Sequence, residues 1–545
     1  MKVAAAIAEI LEREGVDVLV AYPVNPVIEA AAAADIRTVI VRQERTGLHM
    51  ADAYARLHSG KRVGAFAMQH GPGAENAFGG VAQAYSESAP VLVVPAGYAR
   101  RSMHVEPNYS SFLNLQHVTK LSDVLLSGAH TQEVFRRAFS ALRTGRPRPV
   151  SVEVPVDVFG EEVPDDFDYT PTRHVRSAPD PADVATVAGM IAGAERPVLY
   201  VGQGVHYAAA WAEVRELAES WSIPVCTSLE GKSAFPEDHP LYLGCGGRSM
   251  PRAVRTFLDE SDLVVGLGVS FARTAFGVRM PAGVPLVQNT VDPADLNREL
   301  PVAAALVGDA QLALQGLLAE LKGRPRSPAT ERRAEGVAAQ IAAVNGPWLE
   351  EWQPRLSSGA VPIDPYRVIG ELGRNLDPRE VIITHDAGSP RDQITPFWVS
   401  TEPLSYLGWG KTTQLGYGLG LAMGAKLARP DKTCVNVWGD AAIGFTGMDF
   451  ETAVRERLPI LSILLNNFSM AIELPIMQQA QAKYGSCDIS GNYAEFARAL
   501  GGYGERVTEP SEVGAAIRRG IERTRQGSPA LLEFITAKDH TYSVF

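Results

Sequence analysis

The sequence predicts an α/β protein of three domains, each a mostly parallel sheet flanked by helices. Short apolar runs alternate with alanine-rich helical segments along nearly the whole chain, the pattern of a sheet covered on both faces. Two polar, proline-bearing stretches, Gly160 to Pro181 and Gly323 to Gly336, interrupt the alternation and read as linkers. A chain of 545 residues also exceeds what one core usually serves.

The chain divides accordingly into residues 1–165, 182–322 and 360–545. In the first part VDVLVAYP, RTVIVRQE, RVGAFAMQ and PVLVVPAG are expected strands. The opening MKVAAAIAEILEREGVD has a lysine and an apolar run, but Glu9, Glu12, Arg13 and Glu14 fall at helical spacing. It is therefore read as an amphipathic first helix and not as a signal peptide. In the second part PVLYVGQG, IPVCTSLE, LVVGLGVS and VPLVQNTV are strands. Gly202-Gln203-Gly204 lacks a third glycine at dinucleotide spacing, so it reads as an ordinary strand end. The first and third parts are alike in size and type, which suits two related halves with a ligand between them.

Composition narrows the class. A net charge of -11 argues against a nucleic-acid binder, which normally shows a basic face. No apolar run is long enough for a membrane helix. Cys226, Cys245, Cys434 and Cys487 stand far apart in no metal-like pairing and read as reduced thiols of a cytoplasmic protein.

The chemistry is densest from Trp438 to Met470. A strand-like run breaks at Gly439-Asp440, a helix follows, and a second apolar run from Ile460 to Leu465 ends in Asn466-Asn467. Ligands of parallel sheets bind outside the carboxyl ends of the strands, so Asp440 and the asparagine pair can face one ligand. With a backbone oxygen near Ser469 they form the hard oxygen set that Mg²⁺ or Ca²⁺ accepts alongside phosphate oxygens. Gly439, Ala441 and Ala442 let phosphate approach the backbone and a helix amino terminus. An N-capping aspartate is the plainer reading of Asp440 taken alone.

WGDAAIGFTGMDFETAVRERLPILSILLNNFSM resembles the metal and diphosphate motif of thiamine-diphosphate (ThDP) enzymes, Gly-Asp-Gly followed at a fixed interval by Asn-Asn. Ala441 stands where the third motif residue is usually glycine, and the wording is closest to the oxalyl-CoA decarboxylase subgroup. VRQERTGLHMADAYAR is similar to the Glu-centred motif of the acetolactate synthase group. The resemblance implies that Glu44 hydrogen-bonds the cofactor's aminopyrimidine and favours the imino tautomer that deprotonates the thiazolium carbon. A carboxyl used this way should sit in a partly apolar pocket that raises its pKa.

The same resemblance assigns the remaining candidates. QHGPGAENAFGG looks like the family's Gly-Pro-Gly-Ala loop, with Gly71, Pro72 and Gly73 turning near the pyrimidine, Asn76 tying the loop, and Gln69 and His70 on the substrate side. Asn25 stands where relatives place a small or acidic active-site residue, although a turn before Pro26 also explains it. THDAGSPRDQ matches the diphosphate loop, with Gly388 and Ser389 as donors and Arg391 as added charge. In GKTTQLGYGLG, Thr413 belongs to the cofactor set and Leu415 is the apolar wedge that enforces a bent cofactor. Met470 closes that set, and Glu473 falls where simple 2-oxo acid decarboxylases place a catalytic glutamate. Tyr109, Phe112, Gln116, His117 and Met477 are candidates for substrate selection.

What the resemblance implies for function is a ThDP- and Mg²⁺-dependent cleavage or formation of a carbon–carbon bond next to a carbonyl. A 2-oxo acid is decarboxylated, and the carbanion is protonated or passed to an acceptor. An oxalyl-CoA decarboxylase or 2-hydroxyacyl-CoA lyase is the alternative; the short stretch between PALLEFITA and Phe545 leaves little to close over a CoA ester. A non-catalytic ThDP-fold binding or regulatory subunit is the alternative of another class, and retention of Glu44, Asp440 and Asn467 argues against it. With Glu44 in the first part and the metal residues in the third, the family architecture implies sites between two subunits of a homodimer or homotetramer. In relatives the central domain holds FAD, ADP or nothing, and GCGGRSMPRAV, with Arg248, has no pattern that assigns either.

Overall fold

Residues 1–545 are described by a computed structural model. Its strands form three six-stranded sheets in which every neighbouring pair runs parallel. The first contains β1 (Val18–Tyr22), β2 (Arg37–Ile40), β3 (Gly64–Met68), β4 (Val91–Gly97), β5 (Leu121–Val124) and β6 (Val150–Pro155), in the order β2-β1-β3-β4-β6-β5. The second contains β7 (Pro197–Val201), β8 (Val225–Ser228), β9 (Tyr242–Gly246), β10 (Leu263–Leu267), β11 (Leu286–Thr290) and β12 (Ala304–Val307), ordered β12-β11-β10-β7-β8-β9. The third contains β13 (Val381–His385), β14 (Tyr406–Leu407), β15 (Thr433–Gly439), β16 (Leu461–Asn466), β17 (Tyr503–Val507) and β18 (Ala530–Ile535), ordered β14-β13-β15-β16-β18-β17.

The first and third sheets thus share one strand order, and the central sheet follows the other doubly wound order. Strand order reverses between β1 and β3, between β7 and β10, and between β13 and β15. Crevices at such reversals are where α/β sheets bind ligands. The central strands β3, β4 and β6 are buried throughout, which explains their unbroken apolar runs.

The first and third sheets are joined by a common core. The helix Glu44–Leu57 lies along the helix Tyr417–Ala428, and Leu48, Met50 and Tyr54 share one apolar cluster with Tyr417, Leu421 and Met423. Gly420 allows that approach: a Cβ there would stand 2.8 Å from the Thr46 carbonyl oxygen. The central sheet keeps a core of its own, from Val184 to Ile341. No helix is long and apolar enough to cross a membrane.

The first predicted linker has no helix or strand before Pro181, where a helix begins, yet it is pinned: Tyr169 is buried and its hydroxyl donates to Glu14 at 2.5 Å. The second is corrected by the structure. Residues Pro328–Leu356 form one helix, so most of the stretch from Gly323 to Gly336 is its first turns. Proline is favourable at the first turn of a helix, where its missing N–H has no partner to lose, and Ser327 caps the Thr330 amide at 3.2 Å. Charged Arg333 is buried there because its guanidinium donates to the carbonyls of Ala194, Glu195, Trp221 and Ser222.

Candidate active site

At the reversal of the third sheet, β15 ends at Gly439 and the helix Asp440–Thr446 begins. The Asp440 carboxylate accepts from the Ala441 amide at 3.0 Å and from the Ser469 amide at 3.1 Å. Asn467 Oδ1 accepts from that same Ser469 amide at 3.0 Å and from the Ser469 hydroxyl at 2.8 Å. Two side-chain oxygens from neighbouring strand ends therefore converge on one N–H. Burial pushes the Asp440 carboxyl up to about 6, and only backbone N–H groups offset it. Asn466 faces elsewhere: its amide nitrogen donates to Glu533 at 2.7 Å and its oxygen accepts from the Phe468 amide at 3.0 Å. Of the asparagine pair, only Asn467 belongs to the cavity.

That cavity, about 150 Å³, is lined by Gly388, Ser389, Leu415, Gly439, Ala441, Ala442, Met470 and Glu473 besides Asp440, Asn467 and Ser469. Gly388 caps the short helix Ser389–Ile394 with φ +83°, a conformation that favours glycine. Nothing but Ile472 comes within 4 Å of where its Cβ would be, so a side chain there would stand in the cavity. Backbone amides, a buried carboxylate short of positive charge and an amide oxygen are a donor set that suits a diphosphate and a hard divalent cation.

Two expected members lie outside. Arg391 is buried, paired with Asp392 at 2.9 Å and stacked 3.8 Å over Phe276 of the central domain, so its charge is neutralised away from any phosphate. Thr413 is not among the lining residues; its neighbours Thr412 and Gln414 are bonded to Gln83 of the first domain.

The first domain carries the other group. Glu44 opens its helix and is buried, and that burial holds its carboxyl above the ordinary range despite a side-chain bond to Asn76. Gly71 begins the helix Pro72–Ser86 with φ +60°, and a Cβ on it would stand 2.9 Å from the Tyr98 hydroxyl. A Cβ on Gly73 would meet Gln69 at 2.9 Å and Glu44 at 3.5 Å, which brings turn and carboxylate together. His70 packs edge-on against Tyr98, and Asn25 is exposed where β1 runs into the helix Asn25–Ala33. Asn25 follows β1 and the stretch from Gln69 to Asn76 follows β3, at the reversal of the first sheet, while Glu44 follows the neighbouring β2.

Glu44 and Asn76 face a cavity of about 910 Å³ that also includes Tyr22, Phe445 and Met448. It has no lining residue in common with the Asp440 cavity. Within one chain the two expected halves of the site remain apart. Tyr109, Phe112, Gln116, His117 and Met477 line neither cavity.

Three features escaped the sequence reading. Asp386, buried just past β13, accepts from the amides of Ala387, Gly416 and Gly418 at 2.8, 2.9 and 3.0 Å and so fixes the turn after Leu415. An aspartate between an apolar strand and a glycine turn was the available signal. Tyr542 bonds the Ser389 hydroxyl at 2.8 Å, and Arg248 lies 5.6 Å from its ring. Gly202 and Gln203, read as a strand end, line a crevice of about 260 Å³ at the central reversal with Gly268, Asn289 and Asp309.

The comparisons with known proteins follow the same division. Residues 1–123 match the family model described as thiamine pyrophosphate enzyme, N-terminal TPP binding domain; 184–317 match the central domain, and 386–534 the C-terminal TPP binding domain. The probable acetolactate synthase large subunit of Methanococcus aeolicus is 28% identical over 98% of this chain and 92% of the relative. The acetolactate synthase large subunit of Parasynechococcus marenigrum is 29% identical over 93% and 83%. Acetolactate synthase isozyme 3 large subunit of Escherichia coli (strain K12) is 25% identical over 97% and 94%. With both binding domains and the central domain matched along the chain, it is an enzyme, a decarboxylase or carboligase, and it belongs to the thiamine-diphosphate-dependent enzymes of the acetolactate synthase superfamily.

Proposed function

We propose that the enzyme decarboxylates a 2-oxo acid with ThDP and Mg²⁺ and then protonates the product or joins it to an acceptor carbonyl. The observation that carries this reading is the convergence of Asp440 and Asn467 on the Ser469 amide in a cavity shared with Leu415 and Glu473. Asp440 and Asn467 would hold the cation, and Gly388 and Ser389 the diphosphate. The bound cofactor supplies a nucleophilic carbon and an electron sink. Glu44, whose carboxyl is raised by burial, would hydrogen-bond the aminopyrimidine nitrogen and share its proton there. Leu415 would shape the cofactor, and Glu473, which lines the same cavity, would give a proton to the carbanion.

Because Glu44 and Asp440 face separate cavities, each complete site would take Glu44 from one subunit and Asp440 from another, in a homodimer or a pair of them. The crevice beside Gly202 would take a nucleotide, FAD or ADP, and bound flavin would colour the purified protein yellow.

The test is carbon dioxide release and product identity by mass spectrometry, with ThDP and Mg²⁺, across pyruvate, longer and aromatic 2-oxo acids, oxalyl-CoA and a 2-hydroxyacyl-CoA. Turnover of a free 2-oxo acid supports the reading. Turnover of the CoA esters alone overturns it in favour of the acyl-CoA branch.

A further inference from the structure

Leu415 reaches the Asp440 cavity from a loop, residues 408–416, that has no regular structure until its final turn. A loop without its own hydrogen-bond ladder must be held from outside. On one side Asp386 takes the Gly416 amide. On the other the holder is Gln83, on the helix Pro72–Ser86 of the first domain, 1% exposed.

Both ends of the Gln83 side chain are used. Its oxygen accepts from the Thr412 hydroxyl at 3.0 Å and from the Gln414 amide at 3.3 Å. Its nitrogen donates to the Thr412 carbonyl at 3.1 Å and to Glu87 at 3.3 Å, and Glu87 accepts from the Lys411 amide at 2.8 Å. The Gln414 side chain meets His49 at 2.8 Å. A carboxamide alone supplies donors and acceptors together here; a glutamate would lose the donors and set a second carboxylate against Glu87.

We propose that Gln83 is a positioning residue: by pinning residues 412 and 414 it sets where Leu415 enters the cavity, and so the shape in which the cofactor is held. The helix that begins at the Gly71-Pro72-Gly73 turn thereby also fixes, at its last turns, the wall of the diphosphate cavity. The proposal rests on ThDP being the ligand of this site.

The full-length protein, Gln83→Ala, the volume-keeping Gln83→Met and Leu415→Ala are compared by two readouts. Calorimetry with Mg²⁺ gives the Kd for ThDP, and proton NMR after acid quench gives hydrogen–deuterium exchange at the thiazolium carbon of the bound cofactor. Both Gln83 variants should keep the Kd within about threefold, since the diphosphate ligands are untouched, and slow exchange by about tenfold or more, as misplacement of a reacting pair does. Leu415→Ala should do the same, and Gln83→Met combined with it should add little. Wild-type exchange rates in folded Gln83 variants overturn the proposal, as does a Kd loss without slower exchange. If the unaltered protein fails to bind ThDP or to speed exchange, the reading of the site falls, and the proposal with it.

Discussion

The Arg391 guanidinium lies 3.8 Å over the Phe276 ring while its charge is matched by the adjacent Asp392, so one side chain of the short helix after β13 fastens the third domain to the central one. Arg391→Ala would leave Asp392 buried and unpaired, at a cost of about 3–5 kcal/mol. Denaturant unfolding should show that loss, and calorimetry on the folded fraction should show an unchanged Kd for ThDP. A weakened Kd with intact stability would return Arg391 to the phosphate site.

Glu44 is expected to matter to turnover and hardly at all to folding. Because its carboxyl is already raised by burial, Glu44→Gln should leave the thermal midpoint nearly unchanged. It should cut kcat by about 10²–10⁴, the span of a lost acid–base group. Steady-state kinetics decide this, and full activity in the variant is incompatible with the role.

Asp440 supplies a different readout, since a ligand that binds only the folded state raises its stability. ThDP with Mg²⁺ at a hundredfold excess over Kd should stabilise the wild-type protein by about 2.7 kcal/mol. Asp440→Ala should lose that gain, and EDTA should abolish it in the wild type until Mg²⁺ is restored. A thermal shift that survives both treatments would mean that the cation sits elsewhere.

Asp386 makes a prediction in pH. Burial pushes its carboxyl up to about 6, against about 4 for an unfolded aspartate. The folded state binds this proton more tightly, so the stability it contributes is complete below about pH 4 and lost as pH rises through about 6. Asp386→Asn, neutral throughout, should flatten the decline between those values by at most about 3 kcal/mol. Asp440 and Glu87 are raised in the same sense, so part of the decline remains. Melts of the cofactor-free protein at several pH values measure it, and equal slopes would refute the assignment.

How far the sequence could be read depended on how local the cause was. Asp440 and Asn467 each follow an apolar strand, so their place beside one crevice is set by strand order and was legible. The repeated order of the first and third sheets was anticipated only as two related halves, because two-residue β14 and the half-buried β5 carry little apolar signal. The packing of Arg391 against Phe276 could not be foreseen, because the two are remote in sequence and adjacent in space. The stretch after Gly323 looked like a linker because buried Arg333 reads as surface until the carbonyls it binds are known. Gly202 and Gly204 read only as a strand end because Gly268, whose Cα lies 2.6 Å from where a Cβ of Gly204 would be, packs against them from a strand remote in sequence.

The apolar cluster that unites Leu48 and Met50 with Leu421 and Met423 has a consequence for dissection and for descent. Residues 360–545 expressed alone would bare half of that surface to water and would be expected to aggregate. The central part, whose apolar core runs from Val184 to Ile341 without a residue of either neighbour, is the segment better able to keep its interior in isolation. Topologically it is a guest, lodged in the chain between the two parts of a single host.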